Sequence, residues 1–365
     1  MEIRRLRADE FEQAIQLADK TFRDQEHTSM GQAFPHVFST ELGQSFGAFD
    51  GETLVSFIGL VPATLQIGAA TVTIFSLGSV CTHEDYRQQG ISTKILHEIY
   101  RYTDQATASL LFVSGDRGMY MRNQCYHFGK TSNYRIGKRE SGYDGEIRLG
   151  QPEDIFQIDG LRRATKVRYD SSTWEWQVLL EAGAFPSIFK MKQALYVASR
   201  DGVIEGYAVM GMPTTSSSTE QQAIVTEWGG NTKAVYEILQ NVLAQGLVQE
   251  IGLTIPWHEE FCEELSQHPY KEQENSGTIH IVNAARLLEQ LKPYLHQKNT
   301  QVAQSLTIEM VDDNHVILHY SGENLRLTLE ELVTLLFVPQ EDHLLGELQT
   351  IFPIPLPHTE GMYYV

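Results

Sequence analysis

The chain has 365 residues, of which 42% are hydrophobic and 10% aromatic, and this length and composition predict two or three globular domains. Its formal net charge of -19 argues against binding to nucleic acid or to anionic membranes. The sequence has no apolar run approaching the ~18–20 residues of a membrane span and no secretory signal at its N-terminus, so we expect neither a membrane protein nor a secreted one.

The cysteines and histidines argue against two further classes of site. Cys81, Cys125 and Cys262 lie far apart in the sequence and no CxxC pair occurs, which argues against disulfides and cysteine-bound zinc. The histidines lack the HxH and HExxH spacings of metal ligands, so we predict no metal. This cysteine usage is typical of a reducing cytosol, and we therefore predict a cytoplasmic protein.

The first part of the chain predicts an alternation of strands and helices. A short strand around Ile3 is followed by a helix whose apolar face runs from Phe11 to Phe22. The pair Asp50-Gly51 predicts a hairpin turn between two strands. Strands are predicted at residues 46–50, 54–67, 70–82 and 108–114.

The stretch from Val80 to Leu96 reads VCTHEDYRQQGISTKIL and joins the end of a strand to the start of a helix. The first turn of a helix leaves backbone N–H groups unpaired and pointing one way, which favours an anion such as a pyrophosphate. Gly90 has no Cβ, so it would let a phosphate approach the backbone closely. The pattern predicts an anion site, and it also occurs at ordinary strand–loop–helix junctions.

The pattern of elements starts again near residue 146. Residues 147–166 repeat the strand, turn and helix rhythm of residues 3–22, and residues 196–213 share an Asp-Gly turn and a final proline with residues 46–62. Such internal similarity indicates duplication. The remaining elements of the second copy are predicted at residues 223–228, 233–247 and 251–255.

The last part of the chain differs from the two copies. A polar stretch at residues 267–277 predicts a boundary, and a strand, a helix, a hairpin and a final helix follow it. The chain ends FPIPLPHTEGMYYV, and because disordered tails contain few aromatic residues, we expect this terminus to dock on the protein. The Ser/Thr run at residues 214–219, in contrast, predicts a surface loop.

Val80-Cys81-Thr82 followed by Arg87-Gln88-Gln89-Gly90-Ile91-Ser92 resembles the acetyl-CoA motif of the GNAT superfamily of acetyltransferases. The family pattern is V-x-V, a short spacer and R/Q-x-x-G-x-G/A, from which Ser92 departs. The order of elements in the first copy is also that of the GNAT fold. Two GNAT-like copies, a smaller α+β region and an aromatic terminus together resemble the enhanced intracellular survival protein family, whose third domain is similar to sterol carrier protein.

This resemblance implies an α+β fold in which tandem GNAT-like domains, with mixed central sheets flanked by helices, precede a sterol-carrier-protein-like α+β domain. It implies an N-terminal GNAT domain that binds acetyl-CoA at residues 1–145 and a degenerate second GNAT-like domain at residues 146–275. Residues 276–365 would be the sterol-carrier-like domain, with a tail that reaches the active site. The segment Glu227–Thr232 of the second copy lacks the R-x-x-G-x-G pattern, so we expect no CoA site there.

By the same resemblance, the strand end and the loop hold the pantetheine and pyrophosphate of acetyl-CoA, the acetyl donor. The cofactor-binding residues implied are Val80, Cys81, Thr82, Gln88, Gln89, Gly90, Ile91, Ser92, Thr93, Gly115 and Asp116. Arg87 is expected to brace the loop. Cys81 has no neighbouring His or Lys to lower its pKa, so we expect it to pack rather than to act as a nucleophile.

Tyr120 matches the tyrosine of the family that serves the leaving thiolate, and a phenol is protonated at neutral pH because its pKa is near ~10. GNAT sequences usually continue Y-x-x-x-G-F. Here Gln124 and Cys125 stand at the last two positions, and a shift by one residue would pair Cys125-Tyr126 with Gly-Phe instead. Tyr126 is therefore the rival acid.

The base in the enhanced intracellular survival proteins is the C-terminal carboxylate, which here belongs to Val365. An α-carboxyl has a reference pKa of about 3.3–3.7, so it is a weak base unless it is buried or works through water. A merely docked tail is the alternative. The alternative bases are His27, His36, His83 and Glu84, of which the last two are expected to be exposed turn residues.

The resemblance predicts an acetyl-CoA-dependent N-acetyltransferase, an enzyme that acylates a primary amine of a cationic small molecule or of a peptide lysine by direct attack. It also implies a homo-oligomer, a dimer or a hexamer. Residues 1–145 carry a net charge of -3 and the rest of the chain -16, which makes cationic acceptors plausible, although solubility alone would also explain it. The departure at Gln124 motivates an alternative, a catalytically silent CoA-binding or interaction protein.

Overall fold

The computed structural model describes residues 1–140, 142–214, 222–339 and 346–365, so the predicted loop at 214–219 lies outside the described residues except for Thr214. The strands are β1 (Glu2–Arg5), β2 (Phe46–Asp50), β3 (Thr53–Ile67), β4 (Ala70–Thr82), β5 (Leu110–Val113), β6 (Lys130–Gly137), β7 (Glu146–Leu149), β8 (Val167–Tyr169), β9 (Met191–Arg200), β10 (Val203–Pro213), β11 (Gln222–Gly230), β12 (Glu250–Pro256), β13 (Tyr270–Glu274), β14 (Thr278–Ile281), β15 (Thr307–Met310), β16 (His315–Tyr320) and β17 (Glu323–Thr328). The helices are α1 (Phe11–Phe22), α2 (Met30–Ala33), α3 (Ile91–Gln105), α4 (Gly118–Met121), α5 (Ile155–Ala164), α6 (Thr173–Ala182), α7 (Ala184–Ser187), α8 (Thr232–Ala244), α9 (Ala284–Lys298), α10 (Thr300–Ser305) and α11 (Leu329–Phe337).

The first sheet has the strand order β1-β2-β3-β4-β5-β14, and β8 pairs with the far end of β3. Strands β3 and β4 are antiparallel, whereas β5 lies parallel to β4. Helix α1 packs against β3 and β4, and α3 covers the other face. Helix α3 buries Ile91, Ile95 and Ile99 at helical spacing, and this apolar stripe holds it on the sheet. We call this sheet with α1–α4 the first unit.

The second sheet has the strand order β13-β6-β12-β11-β10-β9-β7. Its central strands repeat the pairing of the first sheet, since β10 and β11 are antiparallel and β11 and β12 are parallel. Helix α8 packs on it as α3 packs on the first sheet, and it buries Val235, Ile238 and Val242. This shared pairing agrees with the duplication indicated by the sequence. We call this sheet with α5–α8 the second unit.

The remaining strands form a small antiparallel sheet in the order β15-β16-β17, which packs with α9, α10 and α11. One apolar cluster joins this C-terminal unit to the first sheet, and it contains Leu65, Phe112, Leu291 and Leu332. Full burial of a side chain of this size contributes about 1.5–3 kcal/mol, so the cluster ties the two units together.

Two strands pair outside the part of the chain to which they belong in sequence. Strand β6 precedes residue 145 but joins the second sheet beside β12, and β14 follows residue 275 but closes the first sheet beside β5. Strand β13, in the polar stretch expected to be a boundary, also pairs with β6. Sheet membership therefore crosses both predicted boundaries, and the division into domains at residues 145 and 275 stays a prediction.

The predicted fold class is confirmed, because mixed sheets flanked by helices make up an α+β architecture with two similar units. Strands β2 and β4 have the predicted bounds. Helix α6 and strand β8 were not predicted. Strand β8 is three residues long, too short to show a periodic pattern.

Each parallel pair of strands opens into a gap where its longer strand carries a β-bulge. Parallel pairing ends at Leu77 in β4 and at Ile224 in β11. Just beyond, β4 has an extra residue between Gly78 and Cys81, and the extra residue of β11 is Thr226. A bulge bends its strand and increases the local twist, so the two parallel neighbours separate at this point.

The C-terminal tail, residues 353–365, runs across both gaps. A Cβ placed on Gly361 would lie 2.8 Å from the backbone oxygen of Thr226 in β11. At the far end, a Cβ placed on Gly78 in β4 would lie 1.9 Å from the backbone oxygen of Val365. The tail backbone therefore packs directly on the bulge of each sheet, and the terminus docks on the protein as its aromatic residues predicted.

Candidate active site

The predicted anion loop connects the end of β4 to α3. Gln88 and Gly90 both have left-handed backbone conformations, with φ of 63° and 71°. Gly90 is the N-cap of α3, and among the described residues no side chain caps this helix. A Cβ on Gly90 would meet nothing within 4 Å, so open space lies in front of the uncapped turn. Unpaired N–H groups facing open space suit a pyrophosphate.

The predicted loop residues differ in exposure. Gln88, Gln89 and Gly90 are exposed, Ser92 and Thr93 are half-buried, and Ile91 is buried in the core under the helix. Ile91 can therefore offer only its backbone N–H to a ligand at the helix terminus.

Side-chain hydrogen bonds tie the loop to the strand end. Thr82 Oγ1 lies 3.0 Å from Ser92 Oγ and 2.8 Å from Ser56 Oγ. Arg87 Nε donates to the backbone oxygen of Thr82 at 3.2 Å, which is the bracing contact expected of it. The hydroxyl of Ser92 thus points at the strand end, where it replaces the strict Gly of the motif by a link between helix and strand.

Cys81 is 3% exposed and packs in the apolar cluster between α1 and the first sheet. Burial raises the pKa of its thiol to about 12, so the thiolate is not available as a nucleophile. Its backbone oxygen accepts a hydrogen bond from Ser56 Oγ at 3.1 Å, and Val80 beside it is half-buried.

Tyr120 lies in the short helix α4 and is 5% exposed. A Cβ on Gly115 would be 3.2 Å from its ring, so Gly115 lets the loop after β5 pass close to the tyrosine. Asp116 is exposed. Burial raises the pKa of Tyr120 above its usual value, against the opposing effect of Arg117.

The rival Tyr126 faces a different part of the molecule. Its backbone pairs with Ile279 of β14, and its ring packs on the cluster shared with the C-terminal unit. Burial raises its pKa, with Glu330 of α11 as the next contributor. Tyr120 and Tyr126 therefore lie in different surroundings, Tyr120 in the apolar cluster under α3 and Tyr126 against the cluster shared with the C-terminal unit.

Val365 is 8% exposed and joins the apolar cluster of Phe34, Val37 and Phe57 in the first unit. Its backbone carbonyl carbon would be 2.3 Å from a Cβ on Gly78, so the terminal carboxylate lies against β4 at the bulge. The glycine at position 78 is what makes room for it.

Tyr364, the residue before the terminus, contacts two aromatic rings from different units. Its ring centroid lies 6.3 Å from that of Phe34 in the first unit and 5.2 Å from that of Phe185 in the second. The terminus is therefore enclosed by both units.

The alternative bases lie in different places. Glu84 forms an exposed ion pair with Lys20 at 2.9 Å, and His27 pairs with Asp24 at 2.9 Å. His83 Nδ1 accepts the backbone N–H of Asp85 in the turn.

His36 is different, because it lines a narrow cavity together with Val365, Tyr364 and Glu175. Burial lowers its pKa below the usual value, against the opposing effect of Glu175. Of the four alternative bases, His36 is the one that shares a cavity with Val365. Its lowered pKa favours the neutral imidazole, which is the form that can accept a proton.

Sequence reasoning missed two residues of this site. Gly78 was passed over because nothing local marks a strand glycine that accommodates a distant terminus. Ser79 has a left-handed backbone, with φ of 53°, and its buried hydroxyl has no hydrogen-bond partner among the described residues. A non-glycine residue in this conformation is a strained position of the kind found at functional sites.

Residues 2–126 match the model of a family described as the acetyltransferase (GNAT) domain. The matched residues lie in the first unit and include β1 to β5 and α1 to α4. The match includes the loop and Tyr120, and the chain is therefore an acyltransferase enzyme. Acetyl-CoA, the acetyl donor of GNAT acetyltransferases, is the donor predicted from the sequence.

Several solved structures share the fold over most of the chain. A conserved protein from Enterococcus faecalis has 13% identity and a TM-score of 0.62, with 90% of this chain and 84% of that chain covered. A GCN5-related N-acetyltransferase from Anabaena variabilis has 10% identity and a TM-score of 0.61, with coverage of 92% and 89%. Eis1 from Mycobacterium abscessus has 15% identity and a TM-score of 0.59, with coverage of 92% and 89%. No curated protein matches the chain.

The second unit lacks the open loop of the GNAT domain. Asn231 caps α8, and its Oδ1 accepts the backbone N–H groups of Lys233 and Ala234. A Cβ on Gly230 would lie 2.3 Å from the backbone oxygen of Glu205, so there is no open space at this turn. The helix N-terminus is satisfied by the protein itself.

Within the described residues, no three His, Cys, Asp or Glu side chains are grouped so that they could hold a metal ion. No helix in the described part of the chain is both long and apolar enough to cross a membrane.

Proposed function

We propose that the chain is an acetyl-CoA-dependent N-acetyltransferase that acylates a primary amine of a cationic small molecule or of a peptide lysine. The observation that carries this proposal is the contact of the Val365 terminus with Gly78 in β4, within the GNAT domain. The tail thereby brings a carboxylate, the candidate base, to the unit that contains Tyr120, the candidate acid.

In the proposed reaction, a neutral amine attacks the thioester carbonyl of acetyl-CoA directly. A C–N bond forms and the C–S bond breaks. The proton of the amine passes to the carboxylate of Val365, either directly or through a water molecule. We further propose that Val80 to Thr82, Gln88 to Thr93, Gly115 and Asp116 hold the donor, as the resemblance implied.

Tyr120 stabilises the leaving thiolate of CoA in this mechanism. Because burial raises its pKa, the phenol remains protonated at neutral pH and can donate to the developing thiolate. A thiol has a reference pKa of about 8.5, below that of this phenol, so complete proton transfer from Tyr120 is uphill. Its main contribution is therefore a hydrogen bond to the charged sulfur.

The cavity beside Val365 is small, with a volume of about 20 Å³, which is room for about one water molecule. Glu175 of α6 lines it, and the terminal carboxylate adds a second negative charge. These two charges and the net charge of -19 favour a cationic acceptor, whose stem must lie outside this cavity.

The test is release of CoA from acetyl-CoA with a panel of polyamines, aminoglycosides and lysine peptides, for the native chain and for Tyr120→Phe. We expect at least one amine to accelerate release and Tyr120→Phe to slow it. If acetyl-CoA binds, no amine accelerates release and Tyr120→Phe changes nothing, the alternative of a catalytically silent CoA-binding or interaction protein is correct.

A substitution distinguishes the terminal carboxylate from His36 as the catalytic base. His36→Gln should retain activity if Val365 is the base and lose it if the imidazole is.

We further infer a cytoplasmic homo-oligomer, a dimer or a hexamer, with domains at residues 1–145, 146–275 and 276–365 and a sterol-carrier-like third domain. The oligomer and the nature of the third domain rest on the resemblance alone, the location on the cysteine usage, and the second boundary also on the polar stretch at residues 267–277.

A further inference from the structure

A buried polar cluster of the second unit lies beneath the C-terminal tail. Arg162, at the end of α5, is 4% exposed. Its guanidinium donates to Asp159 Oδ1 at 2.6 Å and to Ser171 Oγ at 2.9 Å. It also reaches the hydroxyl of Tyr363 in the tail at 3.4 Å. Ser171 Oγ bonds to that same hydroxyl, so two groups of the second unit hold it.

Glu227 completes the cluster from the bulge of β11. It accepts hydrogen bonds from Trp176 Nε1 at 2.6 Å and from the hydroxyl of Tyr207 at 3.0 Å. Burial raises the pKa of its carboxyl group, against the opposing effects of the hydrogen bond from Trp176 and of the Arg162 charge. Buried polar groups are stable when their partners are in place, so this network has a defined geometry.

The ring of Tyr363 is fixed as firmly as its hydroxyl. It stacks on Tyr169 with the centroids 4.3 Å apart and the planes 8° apart. Tyr169 lies in β8, which pairs with β3 of the first sheet. Tyr363 is therefore clamped between the second unit, which binds its hydroxyl, and a strand of the first sheet, which supports its ring.

This clamp is close to the terminus. Gly361 packs on the bulge of β11 and Val365 on the bulge of β4, with Tyr363 midway between them. A terminal carboxylate has no following residue to hold it, so its position depends on contacts made by the residues before it. A misplacement of about 1 Å at a catalytic group can reduce the rate roughly 100-fold.

We propose that Tyr363, held by Arg162 and Ser171, is a positioning residue for the terminal carboxylate, and that the second unit works as the clamp that aligns the base. This inference rests on the proposed function. It gives the unit without a CoA loop a part in catalysis.

The test begins with Tyr363→Phe, which removes the hydroxyl and keeps the stacked ring. We expect kcat to fall about five- to ten-fold with the best amine of the panel, while the KM for acetyl-CoA and the melting temperature change little. Ser171→Ala should act in the same direction. Tyr236→Phe is the matched control, because it removes another buried hydroxyl of the second unit, one that bonds His268 at 3.0 Å, and it should leave kcat unchanged.

A double-mutant cycle distinguishes loss of carboxylate positioning from a general loss of rigidity in the protein. In a chain extended by one glycine after Val365, Tyr363→Phe should cause no further loss, because two changes that act through the same carboxylate are not additive. Additive losses, or an unchanged kcat in Tyr363→Phe, would overturn the inference. If the glycine extension alone leaves kcat unchanged, the carboxylate is not the base and the proposed mechanism fails with it. If the glycine extension lowers kcat but Tyr363→Phe does not, the inference about Tyr363 fails and the proposed mechanism stands.

Discussion

The two units of this chain share a strand order and a bulged strand, but their helix N-termini differ. In the first unit Gly90 faces open space and no side chain caps α3. In the second unit Asn231 caps α8, and Gly230 packs against the backbone of Glu205. The comparison shows that the first unit leaves the N–H groups of this helix N-terminus unused, whereas the second unit satisfies them itself, so only the first has them free for an anion.

The gaps beside the bulges differ in a second way. The tail crosses the gap of the second unit at Gly361 and ends in the gap of the first unit at Val365. One unit therefore supports the chain and the other receives its end. If this division is correct, substitutions at equivalent places in the two units should have different consequences.

The largest effect is expected for Gly78→Ala. The new Cβ would overlap the backbone of Val365, so the carboxylate must move. Steady-state kinetics with the best amine should show a fall in kcat of roughly 100-fold or more, the usual value of a positioned acid or base. Gly252→Ala in β12 is the control, since its Cβ would be 3.5 Å from the nearest atom. A Gly78→Ala enzyme with the native kcat would contradict the role of the tail.

Tyr120→Phe should have the next largest effect. Loss of a hydrogen bond to a charged sulfur is worth roughly 10- to 100-fold in kcat. Tyr126→Phe makes the same chemical change in a ring that faces the C-terminal unit, and it should retain activity. The reverse outcome would assign the acid to Tyr126.

Substitutions of Gly90 and Gly230, the glycines at the two helix N-termini, should affect acetyl-CoA binding and protein stability separately. Gly90→Ala places a Cβ in the open space and should weaken acetyl-CoA binding about ten-fold, with a strain of about 1–2 kcal/mol for the left-handed backbone. Gly230→Ala should lower the melting temperature, since its Cβ would be 2.3 Å from the oxygen of Glu205, and leave acetyl-CoA binding unchanged. Isothermal titration and thermal unfolding measure both. Weaker binding in Gly230→Ala alone would reverse the assignment of the two loops.

The smallest effect concerns pH. Burial lowers the pKa of His258, His280 and His358 to about 4. In the unfolded chain a histidine has a pKa of about 6.5, so below that pH the unfolded state takes up protons that the folded state refuses. The stabilisation is therefore complete above pH ~6.5 and is lost as the pH falls toward ~4.

Urea unfolding at pH 7 and pH 5 measures this loss. His358, in the tail, lies 2.9 Å from the side-chain oxygen of Asn275, and His358→Gln should make the free energy of unfolding less dependent on pH. An identical pH dependence in the variant would show that this histidine is not buried in its neutral form.

Much of the fold could be predicted because its signals are local. The alternating patterns gave β2 and β4 their bounds, and the apolar stripe gave α3 its buried face. The open turn at Gly90 was predictable too, because the strand end, the glycine and the helix start lie within a few residues.

The parts that could not be predicted depend on pairing between distant segments. Strand β6 joins the second sheet and β14 joins the first, each apart from its neighbours in sequence, and no local pattern specifies that choice. The same reason applies to Gly78, whose role is to make room for a residue at the other end of the chain. Tyr363 was visible only as one aromatic residue in a tail expected to dock.

The most direct test of the central claim is kcat for a chain that carries one extra glycine after Val365, with an extra glycine at the N-terminus as the control. One more residue moves the carboxylate by about 3.3–3.8 Å, and the space beside Gly78 is already filled by the Val365 backbone. We predict that kcat falls roughly 100-fold or more while the Kd of acetyl-CoA is unchanged. A native kcat in the extended chain would contradict the claim that the terminal carboxylate is the base.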